Sequence, residues 1–225
     1  MATTAETIRA YRGPALLSYG FRPFFLGGAA WAALAMGIFV AMLEGSVVLP
    51  IAFGPVDWHA HELIYGYLPA VAAGFLLTAV PNWTGRLPVA GTPLAVLLLI
   101  WLAGRAAISL SLWLGETAAA VIDLSFLIAL GLVVAREILA GKNKNNLKVL
   151  ALIALLGAGN FVFHLEVAAN GYSSYGKRIG IAAAILLIAL IGGRIVPSFT
   201  RNWLAKSGRQ NLPAPFGRFD LIAIG

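Results

Sequence analysis

The chain contains no cysteine. That excludes disulfides, thiolate metal sites and covalent c-type haem attachment, so a metal must be held through nitrogen or oxygen and a haem without a covalent link. Charge is nearly as scarce. Asp, Glu, Lys and Arg make up 11% of the residues, less than half the quarter usual in soluble domains. With 60% hydrophobic residues and a mean hydropathy of +0.87, such a chain belongs in a membrane. A Gly-rich phosphate loop, an HExxH pattern and a nucleophile beside a base are also missing, so conventional soluble-enzyme chemistry is not indicated and no enzyme label is assigned. The net charge of +7 does not point to nucleic acid, because the basic residues lie between apolar runs rather than in one patch. No cleavable signal peptide is expected: residues 1–23 are polar and carry Arg9, Arg12 and Arg22, and the apolar run after them is too long for an h-region.

What is abundant is long apolar sequence. Six runs near the length a bilayer requires predict an all-α polytopic membrane protein, one transmembrane helical domain over residues 1–225. The expected spans are about 24–43, 60–80, 94–113, 118–139, 148–169 and 179–197, joined by short links that make consecutive helices antiparallel neighbours. Twelve basic residues fall in the N-terminal tail and the links near 81–93, 136–148 and 198–218: Arg9, Arg12, Arg22, Arg86, Arg136, Lys142, Lys144, Lys148, Arg201, Lys206, Arg209 and Arg218. Lys177 and Arg178 alone fall on the other side, beside Glu44, Asp57 and Glu116. That bias places the N-terminus in the cytoplasm. The closing FDLIAIG begins another apolar run and stops after seven residues, so a truncated chain is expected.

The stretch DWHAHELIYGYLPAVAAGFLLTAVPNWTGR, residues 57–86, sets two histidines and an acid, His59, His61 and Glu62, at the mouth of the second span. Such groups are costly in lipid and need partners or a ligand, and neutral imidazole is a common metal ligand. His164 sits about five residues from the outer end of the fifth span, roughly 7–8 Å along its axis. Asp123 is at a similar depth in the fourth. All three histidines thus share one outer layer, which makes His59, His61 and His164 candidate metal ligands. Residues two apart on a helix differ by about 200°, so His59 and His61 reach one centre only if the helix begins between them.

His61 with Tyr65, and Gly157 with Asn160 and His164, share faces by helical spacing, so Tyr65 and Asn160 join the candidate cofactor site. The stripe Gly66, Ala70 and Gly74 admits either a flat macrocycle or another helix. Arg105 lies in mid-membrane, with Asp123, a haem propionate or an anionic substrate as candidate partners. Arg194 is expected to reach toward the cytoplasm, and Glu166 to support His164 or to be a wet boundary acid. VPNWTGR at 80–86 and VPSFTRNW at 196–203 form a weak internal echo, with interface anchoring as the simpler reading.

With the segments FRPFFLGGAAWA, WHAHELIYGYLPAVAAGFLLTAVPNWTGR, WLAGR and GGRIVPSFTRNW in order, the chain closely resembles the NnrS family, over almost all of residues 20–205. The resemblance implies a multi-pass protein of the bacterial inner membrane, linked to denitrification and to the response to nitric oxide and nitrosative stress. It implies non-covalent b-type haem and copper held by histidines such as His59, His61 and His164, without assigning which holds which; depth and helical spacing, not the resemblance, set Arg105, Tyr65 and Asn160 beside such a cofactor. Nitric oxide or a related small molecule is the implied ligand, and the lipid bilayer the main partner. Family members are about twice this length. Two other classes remain open: an ion or metal transporter using Arg105, Asp123 and the histidine layer, and a purely structural subunit.

Overall fold

A computed structural model of the chain describes residues 11–142, 146–214, 217 and 219. Arg9, Lys144 and Arg218 of the charge count, and the closing apolar run beyond Phe219, lie outside the described residues. Six helices are long and apolar enough to cross a membrane: α1 Phe21–Leu43, α2 Pro55–Thr84, α3 Thr92–Ser109, α4 Glu116–Ala140, α5 Leu147–Asn170 and α6 Tyr175–Lys206. No strand occurs among the described residues.

The helix ends follow from local sequence. Pro55 opens α2 at a position where its missing N–H is not needed, and Asp57 lies in the first turn near the positive end of the helix. The helix therefore starts about five residues before the apolar run suggests. Gly85 (φ 68°) and Gly171 (φ 78°) end α2 and α5 in the left-handed conformation that other residues rarely adopt. The spans expected to end near 80 and 197 run on: Pro81 and Pro197 both lie inside helices, as membrane helices tolerate. The echoed segments consequently differ in backbone. One ends a helix at Thr84, whereas the other lies in the interior of α6.

α2 is the central element. In its most apolar window 56% of residues are buried, against 11–39% in the other five helices. It packs against α1, α3, α4 and α6, while α3 pairs with α4, α4 with α5, and α5 with α6. Its small-residue stripe admits another helix, the plainer of the two readings. A Cβ on Gly74 would fall 2.6 Å from the Phe25 ring, and one on Gly28 would meet the Ala70 methyl at 3.4 Å. Outward, large apolar side chains are exposed on every other helix, among them Leu26, Leu99, Leu132, Leu165 and Ile188. Inward lie His61, Glu62, Arg105, Asp123 and Asn160, each 2% exposed or less. That inversion is what lipid as solvent selects.

Glu166 has a specific task at the junction of α5 and α6. Its Oε2 accepts hydrogen bonds from Ser173 Oγ (2.8 Å) and from the backbone N–H groups of Ser174 and Gly176 (2.9 Å each). Its Oε1 accepts from the Tyr175 N–H (3.0 Å), so one carboxylate satisfies three N–H groups at the start of α6. It caps a neighbouring helix and does not support His164. By analogy with cap substitutions, Glu166→Ala should cost about 1–2 kcal/mol. Thermal unfolding in detergent, with faster amide exchange confined to residues 174–178, is the expected result; uniform exchange across the chain would contradict this role.

Candidate functional site: a buried histidine–carboxylate–arginine cluster

The cluster begins with a local irregularity in α2. Residues Glu62–Tyr67 form a π-helical turn between Pro55–His61 and Leu68–Thr84. Such wide turns recur at functional sites. Here the segment keeps His61, Glu62, Tyr65 and Gly66 all in the interior. Trp101 of α3 donates its Nε1–H to the Gly66 carbonyl at 2.9 Å, which ties the wide turn to its neighbour.

Arg105 lies against that turn because Gly66 has no side chain. A Cβ there would fall 2.4 Å from Arg105 Nη1. Nη1 donates to both carboxylate oxygens of Glu62 at 2.9 Å, and Nη2 donates to Asp123 Oδ1. Glu62 Oε2 also accepts the Trp31 Nε1–H at 2.6 Å. The sequence offered Asp123 as a partner for Arg105; the structure adds Glu62 as a second.

On the far side of Asp123 sit the imidazoles. Asp123 Oδ2 lies 3.2 Å from His61 Nε2 and 3.1 Å from His164 Nε2, and accepts from Asn160 Nδ2 at 2.7 Å. His61 Nε2 is also 3.1 Å from Asn160 Oδ1, while Nδ1 faces Glu62 Oε1 at 3.2 Å. Tyr65 packs beside His61 with ring centroids 5.5 Å apart and donates its hydroxyl to the Gly176 carbonyl at 2.5 Å. Among the described residues, His61, Asp123 and His164 form a group whose potential ligand atoms all lie within 4.8 Å of one another.

Charge is the decisive property of this site. Two buried carboxylates and one guanidinium leave it at −1 when both imidazoles are neutral. Both ring nitrogens of His61 face acceptor oxygens, an arrangement satisfied when the ring carries a proton on each. The geometry therefore matches an imidazolium closing the charge balance. A cation beside Nε2 is the alternative way to close it.

The structure does not bring His59 to this centre. Its ring stacks on Phe39 of α1, with centroids 4.1 Å apart and planes 11° from parallel. Because α2 begins at Pro55, both histidines are already helical, and the rotation between them turns His59 to another face. Arg194 donates to Asn146 Oδ1 at 3.0 Å. Glu62 and Trp31 were missed as parts of the Arg105 site. An acid beside a histidine at a span mouth was the one signal for Glu62, and nothing in sequence links it or Trp31 to residue 105.

Fold and cluster define a polytopic helical membrane protein with an ionic centre enclosed by its spans. The family model described as NnrS protein matches residues 15–225, and the chain belongs to the NnrS family. No curated protein and no solved structure matches it.

Removing Arg105 alone leaves two buried carboxylates without their counter-ion. Arg105→Leu should lose about 3–5 kcal/mol of stability, whereas Arg105→Leu with Glu62→Gln and Asp123→Asn should recover most of that loss. Thermal unfolding in detergent measures both. Equal destabilisation in the single and triple variants would show that Arg105 acts through packing.

Proposed function

We propose that the chain holds a single transition-metal ion, copper by the charge balance of the cluster, between His61 Nε2, His164 Nε2 and an oxygen of Asp123. On this reading it serves the nitric oxide response of the bacterial inner membrane. The supporting observation is the arrangement around Asp123. Arg105 occupies Oδ1, leaving Oδ2 at 3.2 and 3.1 Å from the two imidazole nitrogens. Donors at about 2.0–2.2 Å from one metal lie roughly 3–3.6 Å apart. Two imidazoles and a carboxylate suit copper, iron or zinc. Glu62 against His61 Nδ1 is the carboxylate that commonly orients a ligating histidine and leaves Nε2 free to bind. A monovalent ion replacing the His61 proton keeps the cluster neutral, which favours copper, the member of that set with an accessible monovalent state. Such an ion would supply one-electron chemistry and an open position for a small molecule. The chain's residues hold it, balance its charge and exclude water. The link to nitric oxide rests on family membership.

Haem does not fit this cluster. His61 is fully buried and its ring packs against Phe53, Tyr65, Phe163 and His164, so a macrocycle on Nε2 would displace that core. Arg105 is already bound by two carboxylates, which a propionate would have to replace. The transporter alternative is not favoured either. On the helices carrying Asp123 and Asn160, the next buried side chains inward are Phe126, Leu127 and Leu130, and Leu156 and Ile153, which offer an ion no polar continuation.

The basic bias supports an N-terminus in the cytoplasm and a cluster in the outer half of the membrane. Cysteine labelling tests this cleanly in a chain with no cysteine of its own: Lys142→Cys should react only from inside and Tyr172→Cys only from outside. The reverse pattern would invert the topology.

The metal reading predicts that His61→Ala and His164→Ala each lose the bound metal, while His59→Ala keeps it. Metal analysis of folded, purified protein decides. Full metal content in both of the first two variants would remove the site.

A further inference from the structure

Among the described ionisable residues of the cluster, His164 is the most exposed. Its side chain is 11% exposed, whereas those of His61, Glu62 and Asp123 are at 0% and that of Arg105 at 2%. The exposed part forms a wall of the cavity of about 200 Å³ between α4 and α5, lined mainly by apolar side chains such as Phe53, Ile108, Ala120, Leu124 and Phe161. Leu124 and Phe161 also border a second apolar space of about 470 Å³, which continues between the same helices past Gly131, Ala154 and Gly157. Small residues keep that seam open. A Cβ on Gly157 would meet nothing within 4 Å, and one on Gly131 only Ile153 Cγ2 at 3.9 Å. Exposed Ile128 and Leu132 on α4 and Leu165 on α5 place the seam on the lipid-facing surface.

The geometry points to a lateral opening between α4 and α5, through which a small uncharged molecule of diatomic size moves from the bilayer interior to His164. From Leu124 and Phe161 outward the lining is apolar throughout, so an ion using it would be stripped of water without compensation, while an uncharged apolar molecule already partitions into lipid. Glu116, Thr117 and Ser111 line part of the same cavity and mark the competing route, entry of a water-soluble ligand from the membrane surface. The inference rests on the proposed metal reading only for what the molecule meets at His164; the route itself does not require an ion.

The test exploits the absence of native cysteine. A nitroxide attached at Ala120→Cys in the full chain, reconstituted in lipid nanodiscs, reports collisions with dissolved oxygen and with a water-soluble nickel chelate. A lateral opening predicts frequent oxygen collisions and few with nickel. Adding Leu124→Trp at the neck should lower the oxygen rate by about tenfold, the lower part of the range over which on-rates vary among variants of one site. Should that variant fail to insert, Gly157→Leu narrows the seam where a Cβ meets no neighbour. Nickel collisions as frequent as oxygen collisions would establish entry from water and overturn the proposal. An oxygen rate unchanged by both narrowing variants would also overturn it. Metal analysis of the same samples reports separately on the ion, so loss of the metal reading and loss of the route are distinguishable.

Discussion

Arg105 bound to two carboxylates inside a membrane is the constraint on which the rest depends. An isolated guanidinium in hydrocarbon is costly, and so is each carboxylate, but together Glu62, Arg105 and Asp123 offset most of one another's charge. The three residues stand on α2, α3 and α4, so satisfying them fixes how those helices meet. Gly66 gives Arg105 its space against α2, and Gly104 lets α4 come close to α3, where a Cβ would sit 3.3 Å from Asp123 Cα. Trp31 brings α1 to Glu62, and Asn160 brings α5 to Asp123. Tyr65 reaches α6 through the Gly176 carbonyl. The polar centre therefore specifies a unique packing where interchangeable apolar surfaces would not.

The triad leaves one negative charge over, and the imidazoles lie where that excess is felt. His61 bridges the carboxylates through both ring nitrogens, while His164 reaches one carboxylate, Asp123, and keeps an exposed edge. The first is suited to hold charge in a sealed interior and the second to meet what arrives. This division follows from burial, since the two side chains have the same chemistry.

Much of the architecture was legible because lipid imposes a simple rule on composition: six long apolar runs became six helices. Their ends were less legible, because the spans expected to end near 80 and 197 run on through Pro81 and Pro197, which membrane helices accommodate. At the site, depth and helical spacing drew attention to His61, Tyr65, Asn160 and His164 as well as Asp123. The same rotation rule separates His59 once Pro55 is seen to open the helix. Glu62 as a partner of Arg105 was not legible. The two are 43 positions apart, on helices whose relative rotation depends on a π-helical turn that no periodicity announces. The macrocycle reading of the small-residue stripe failed for a related reason: small residues signal close approach without saying what approaches.

The central claim is that the cluster's missing positive charge is supplied either by a proton on His61 or by a metal ion in its place. Calorimetric titration of copper into the purified, metal-free chain, in buffers that differ in ionisation enthalpy, counts protons released on binding. One ion per chain is expected, with about one proton displaced and binding that weakens as pH falls. Stoichiometric binding with no proton release, or unchanged binding in His61→Ala, would contradict it.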